Sequence, residues 1–334
     1  MFKKLISFWA ANEKIINLIA LGIAIAYPLL FNGRYYIDLA IMCLIYALLS
    51  LSLNFITGYC GIVVLGQAGF YGIGAYTSAI LLTRYGYSFV FTALAAIAVS
   101  FLFGLIIGLP TLRVSGKYLS IVTLGFGEIM RIFELNATSL TGGPFGLKNI
   151  PHIDIFGIVI RTPIAQYYTI LGLLIISIIV VNNLINSRAG NAWNAIKGDE
   201  IAAQSIGINT HRYKLLAFAI SAALAGLAGA FYASYVNYID STSFNYETSI
   251  LILSMTIMGG LGSIPGSIVG AIFYTILPEV LRFVAEYRQI VYGGAIIFSI
   301  MYKPDGLLGG FNLRQVRLFD NLHKQKAMAK GEEG

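Results

Sequence analysis

Apolar runs, most of them near the roughly 20 residues that a helix needs to cross a hydrocarbon core, follow one another along almost the whole chain. They cover Ile15–Phe31, Ile37–Ile56, Ile62–Thr83, Phe89–Leu109, Tyr118–Leu135, Gln166–Ile185, Tyr213–Tyr235, Thr248–Gly260, Ile264–Val284 and Gln289–Tyr302. Hydrophobic residues make up 57% of the 334 and charged residues only 11%, against roughly 25% charged in soluble domains. In lipid every backbone polar group must be satisfied within the chain, which leaves helices as the repeating solution. The expectation is an all-α, polytopic integral membrane protein of about ten transmembrane or partly re-entrant helices. The eighth and tenth runs are short for full crossings. Lys3 and Lys4 precede the first run, and Ala24-Ile-Ala26 resembles a signal-peptidase site. The run continues past it to Phe31, so a retained first helix is expected.

Charge gives the orientation. With the N-terminus placed in the cytoplasm, 15 of the 22 Lys and Arg fall on that side and 7 on the other. The positive-inside rule therefore predicts N-in and C-in. The net charge of +7 is a topology signal, not a nucleic-acid footprint, because the basic residues form no single patch. One transmembrane domain over residues 1–310 and a basic cytoplasmic tail over 311–334 are expected. Cys43 and Cys60 imply no disulfide framework.

One polar stretch, Arg188 to Lys214, interrupts the apolar pattern and lies on the predicted cytoplasmic side. Ala192, Ala195 and Ile196 recur at helical spacing, as do Ile201, Ala202 and Ser205. Gly198 breaks the two runs. Asp199 and Glu200 sit where carboxylates favour a helix N-terminus, and Gly207 follows as a stop. Two short helices outside the membrane are expected, either docking a partner or only shortening a loop.

Catalytic signals are weak throughout. Gly116-Lys117 lacks the first glycine and the hydroxyl of a phosphate-binding loop. His152, His211 and His323 match no metal spacing. Neither an enzyme nor a metal site is expected. Gly66, Gly69, Gly72 and Gly74 give the third run small positions for close helix packing or a hinge. Gly259, Gly260 and Gly262, with Pro265 and Gly266, read as a tight turn. Gln67 should face the bundle interior, because an amide facing lipid is unsatisfied. The fifth run carries Ser120, Thr123 and Glu128, with Arg131 three residues beyond on the same helix face.

Leu65–Tyr76, Gly125–Leu147, Ala192–Gly229 and Met258–Gly270 together resemble the permease subunits of branched-chain amino acid ABC importers, of the LivM type. The Thr141–Pro144 segment favours this type over its sibling permease. The resemblance spans about Ile37 to Gly310. It implies a heterodimer with a homologous second permease, two cytoplasmic ABC ATPases that carry the ATP and Mg, and an external solute-binding protein. It also implies an aliphatic amino acid substrate, a surrounding lipid membrane and no cofactor on this chain. In such importers a coupling segment docks in a groove of the ATPase, here Asp199, Glu200, Ala202, Ala203 and Gly207. The Ala-x3-Gly spacing is kept, but the glutamate sits one residue early and an Ile-x-Leu-Pro tail is absent. Gln67, Ser120, Thr123 and Glu128 are the candidates for the translocation pathway. Urea or short amides are alternative substrates within this class. An ion-coupled secondary transporter, a membrane enzyme and a scaffold are the rivals outside it. The secondary transporter would need paired carboxylates at mid-membrane, and Glu128 is the single carboxylate singled out there.

Overall fold

The computed structural model describes residues 13–280 apart from positions 32, 112, 113, 115 and 156, and residues 293, 294, 297, 301, 306 and 307 beyond them. The molecule is an antiparallel helical bundle whose elements run alternately between two ends. The membrane-length helices are α1 (Glu13–Leu30), α2 (Arg34–Asn54), α3 (Gln67–Tyr85), α4 (Phe89–Thr111) and α5 (Lys117–Asn136). After a four-residue turn of helix, α6 (Thr138–Thr141), comes a two-residue hairpin of β1 (Asp154–Ile155) and β2 (Ile158–Val159). Then follow α7 (Pro163–Ile185), the short α8 (Arg188–Gly198) and α9 (Glu200–Ser205), and α10 (Thr210–Val236), α11 (Tyr246–Gly259) and α12 (Ile264–Val280).

Nine of the ten expected runs thus fall on helices. The tenth, Gln289–Tyr302, lies almost wholly outside the described residues, as do the end of the ninth and the 311–334 tail. Among the described residues, four elements are long and apolar enough to cross a membrane: Arg34–Tyr59, α4, α7 and α10. The 14 residues of α11 rise only about 21 Å at 1.5 Å each, short of a hydrocarbon core.

Burial sorts these helices into layers. The Arg34–Tyr59 and α10 windows are 78% and 72% buried, those of α4 and α7 only 28% and 39%. The first pair forms the centre and the second pair the apolar rim. Small residues let the centre close: α10 buries Ala217, Ala222, Ala225, Gly226 and Ala228. A Cβ on Gly74 of α3 would fall on the Gly226 backbone, and one on Gly104 of α4 would come 2.8 Å from Ala219 Cα. Without a hydrophobic drive between helices in lipid, such close backbone contact is the main source of attraction.

Three expectations are corrected. The third run is not helical from Ile62. The chain leaves α2 through a π-helical turn, Phe55–Tyr59, and is non-helical over Ile62–Leu65, with a bend at Leu65, before α3 begins at Gln67. The Gly259–Gly266 cluster is a turn only as far as Ser263. Helix α12 opens at Ile264 with Pro265 in its first turn, where a missing N–H breaks no helical bond. Glu128 is also not alone in its span: Glu134 lies two turns on and is buried.

Candidate functional site

Helices α8 and α9 cap one end of the bundle, beside the C-terminal end of α2 and the N-terminal end of α10. Ser187 Oγ accepts from Gly190 N–H to start α8. Ala192, Trp193 and Ile196 turn inward as the one-in-three-or-four apolar stripe dictates. Trp193 is 1% exposed, meets Phe55 edge to face at 5.0 Å, and donates its indole N–H to Tyr213 O at 2.8 Å. Lys197 Nζ donates to Gly58 O at 2.6 Å, satisfying a carbonyl at the end of the π turn. Partial burial of that ammonium holds the Lys197 pKa below its ordinary value.

Gly198 ends α8, and Asp199 is the N-cap of α9, its Oδ1 accepting from Ile201 N–H at 2.8 Å and Ala202 N–H at 3.0 Å. Glu200 pairs with Lys214 at 2.5 Å, tying α9 to α10. Gly207, at φ +84°, takes the left-handed conformation that closes the helix. Ala203 is 2% exposed. Its side chain holds α9 to the bundle and is closed to any partner, so the expectation that it touches one moves to its neighbours. Ala202, Ser205 and Gly207 are exposed, and Ile201 and Ile206 are each 76% exposed. A short, doubly anchored helix thus holds two bare isoleucines outward.

At the junction of α2, α3 and α10 the structure collects polar side chains. Gln67, 1% exposed, donates to Ser52 Oγ at 2.7 Å and to Ser221 Oγ at 3.3 Å, and Ser221 Oγ donates on to Ser52 O at 2.7 Å. The amide is spent on a strut joining three helices. Ser120 and Thr123 serve the non-helical break: Ser120 Oγ donates to Val63 O at 2.9 Å, and Leu65 N–H donates to Thr123 Oγ1 at 3.1 Å. Thr57 Oγ1 donates to Ile62 O at 2.9 Å. Irregular backbone at depth persists only where protein satisfies it, and these hydroxyls do so. Gly66 and Gly69 bring the start of α3 against Thr123 and Gly127 of α5.

Asn54 makes a similar clamp that sequence reading passed over. It donates to Ser263 O at 2.8 Å and Ser267 Oγ at 2.6 Å and accepts from Gly262 N–H at 2.8 Å. The signal for it was an amide near the end of an otherwise apolar run. Gly259 lies against the Gly266 backbone, and Gly260 and Gly262 hold positive φ in the turn that Asn54 grips.

Helix α5 shows two chemically different faces. Ser120, Thr123, Gly127 and Glu134 lie on the inward face at spacings of three, four and seven. Glu134 is 2% exposed, neither carboxylate oxygen has a hydrogen-bond partner among the described residues, and Oε1 occupies the space that a Cβ on Gly72 would need. Tyr76 OH, also buried and unpartnered, belongs to the same region. The outward face carries Ile121, Ile129 and Ile132, 50–65% exposed, and a Cβ added at Gly125 would point into open space, with nothing within 4 Å. Glu128 and Arg131 flank it, joined at 2.8 Å and only 27% and 30% exposed.

Residues 35–300 match the family described as branched-chain amino acid transport system / permease component. The chain belongs to this family. The permease is 37% identical over 320 residues to the high-affinity branched-chain amino acid transport system permease protein LivM of Salmonella typhimurium, covering 89% of this chain and 75% of the relative. The same figures hold for LivM of Escherichia coli K12. LivH of Escherichia coli K12 is 26% identical over 285 residues, covering 79% of this chain and 91% of the relative. No solved structure matches the chain. The permease is accordingly a multi-pass membrane protein, and the match takes in α2 to α12, including the α8–α9 cap and both faces of α5.

Proposed function

We propose that this permease is the membrane-spanning subunit of an ATP-driven, binding-protein-dependent importer of branched-chain aliphatic amino acids in a bacterial or archaeal inner membrane. It pairs with a homologous second permease, receives substrate from an external binding protein and is driven by two cytoplasmic ATPases that hold the ATP and Mg. The reading rests on the membership of the family and on one observation: a capped helix at one end of the bundle presents Ile201 and Ile206 bare to its surroundings. Two bare isoleucines at the ends of this short polar helix are apolar surface that the groove of a partner would take out of water. The ATPase groove takes α9, and the anchors beneath it, Trp193, Lys197, Ala203 and the Glu200–Lys214 pair, pass its displacement to α2 and α10. On this reading the α8–α9 end lies in the cytoplasm, the side that the charge bias favours.

The outward face of α5 is the half of the pathway that this chain supplies. Even a partly exposed ion pair facing hydrocarbon is expensive, so the face bearing Glu128 and Arg131 meets the second permease or water. Isoleucines beside a charge pair offer weak, mixed contacts to a zwitterion with an aliphatic side chain. Gln67, Ser120 and Thr123 act behind this face by holding its helices in place.

The test is the double variant Ile201→Asp/Ile206→Asp in the purified four-subunit complex. Loss of the ATPases, or ATP hydrolysis that continues while uptake falls at least about tenfold, is the expected result, with the second permease still bound. Undiminished coupled uptake would refute the docking assignment.

A further inference from the structure

At the end of the bundle opposite α8 and α9, a cleft of about 390 Å³ opens between α2, α7, α10 and the segment carrying the β1–β2 hairpin. That volume lies within the range of small-ligand sites, roughly 300–1,000 Å³. Its wall holds charges of both signs. Asp38 faces it from α2, with one carboxylate oxygen accepting from Tyr235 OH at 3.0 Å and the other 3.8 Å from Arg34 Nε. Arg161, ahead of α7, lines the cleft and has no ion-pair or hydrogen-bond partner among the described residues. Gln166 is 6% exposed, lines it one turn into α7, and its side-chain amide likewise has no partner among the described residues. Its amide atoms are open to the cleft, where a ligand can bond them in place of water. Arg34 lines it as well, beside the polar His152 and Asn237, and Met42 and Val236 add apolar surface.

We propose that this cleft binds a free α-amino acid, its carboxylate held by Arg161 and Gln166, its ammonium by Asp38, and its aliphatic side chain by Met42 and Val236. A bare anion such as phosphate would meet Arg34 and Arg161 but give Asp38 no cationic group to pair with. A simple amine would leave Arg161 and Gln166 unanswered. The inference rests on the reading that the permease handles aliphatic amino acids, and adds a binding site on this chain apart from the α5 face. Such a site gives the permease direct contact with the solute without the binding protein.

The experiment uses the complete permease–ATPase complex in lipid nanodiscs without its binding protein, titrated with labelled L-leucine. Saturable binding is expected. It should weaken at least about tenfold in Arg161→Gln and in Gln166→Leu, the scale for losing a partner of a charged group. Arg161 is exposed, so its variant leaves the fold in place. Leucinamide, which lacks the carboxylate, and 4-methylpentanoate, which lacks the ammonium, should each compete poorly. Absence of saturable leucine binding, unchanged affinity in both variants, or inorganic phosphate competing as well as leucine would each overturn the proposal. ATP hydrolysis stimulated by leucine-loaded binding protein, measured on the same complex, keeps the two readings apart. If stimulation persists without cleft binding, only the cleft is refuted. If the loaded binding protein stimulates nothing, the importer reading itself is refuted.

Discussion

Single side chains in this molecule act mostly on backbone. Asn54 grips three groups of the α11–α12 turn, and its removal leaves Gly262 N–H buried without its acceptor. Asn54→Ala should therefore destabilise the permease by about 1–3 kcal/mol, read as a lower midpoint in thermal unfolding of the detergent-solubilised protein. Glycines differ sharply by position. Gly74→Val places a branched side chain onto the Gly226 backbone, whereas Gly125→Ala meets nothing within 4 Å. The first should cost at least about 1–3 kcal/mol by overpacking and reduce the amount of assembled protein. The second should unfold as wild type does, and equal effects of the two would refute the packing account. Much of this was open to sequence reading in kind but not in detail. A glutamine in an apolar run has to turn inward, and Gln67 does. That it joins Ser52 to Ser221, residues far apart in the chain, depends on the order in which helices pack. Glu134 escaped notice because its partnerless burial is set by Gly72 and Phe244 on other elements.

Among the elements, the α8–α9 pair shows how local chemistry and tertiary contact divide the work. Ser187 and Asp199 as caps, Gly198 as break and Gly207 as stop were legible, since each meets a need of the nearest four residues. Which side of α9 faces out was not, and Ala203 turned inward because its helix is tied down by the Glu200–Lys214 pair. Lys197 carries a pH signature for this junction. Its pKa in the folded protein lies below the ordinary 10.5 because its ammonium is partly buried. Between the two values the unfolded chain binds more protons, so stability rises with pH there and this contribution is lost as pH falls through the folded value. Compared with Lys197→Met at each pH, wild type should gain in unfolding midpoint as pH climbs toward 10.5. A constant difference between the two proteins across that window would show that the ammonium carries no such penalty.

For the molecule as a whole, the decisive distinction is between surfaces that meet lipid and surfaces that meet water or a second subunit. Ile121 and Ile129 of α5 and Ile106 of α4 are all 63–65% exposed, yet only the α5 pair lies beside an ion pair. Cysteines placed at 121 and 129 should react with a water-soluble thiol reagent in the assembled importer, and one at 106 should not. Native Cys43 and Cys60 are both buried and make a quiet background. Equal labelling at all three sites, or none at 121 and 129, would remove α5 from the pathway.

By itself the sequence determined that the chain spans a membrane many times, where most helices run, and where one polar cap interrupts them. These follow from hydropathy, charge and capping, all properties of neighbouring residues. Tertiary structure alone decided that Ile62–Leu65 is not helical, that Glu134 is sealed against Gly72, that Ala203 is hidden while Ile201 and Ile206 are bare, and that Arg161, Gln166 and Asp38 share one cleft. Each depends on which helix lies beside which, and in lipid that choice is made by close contact between small residues on different helices, which no single stretch of sequence contains.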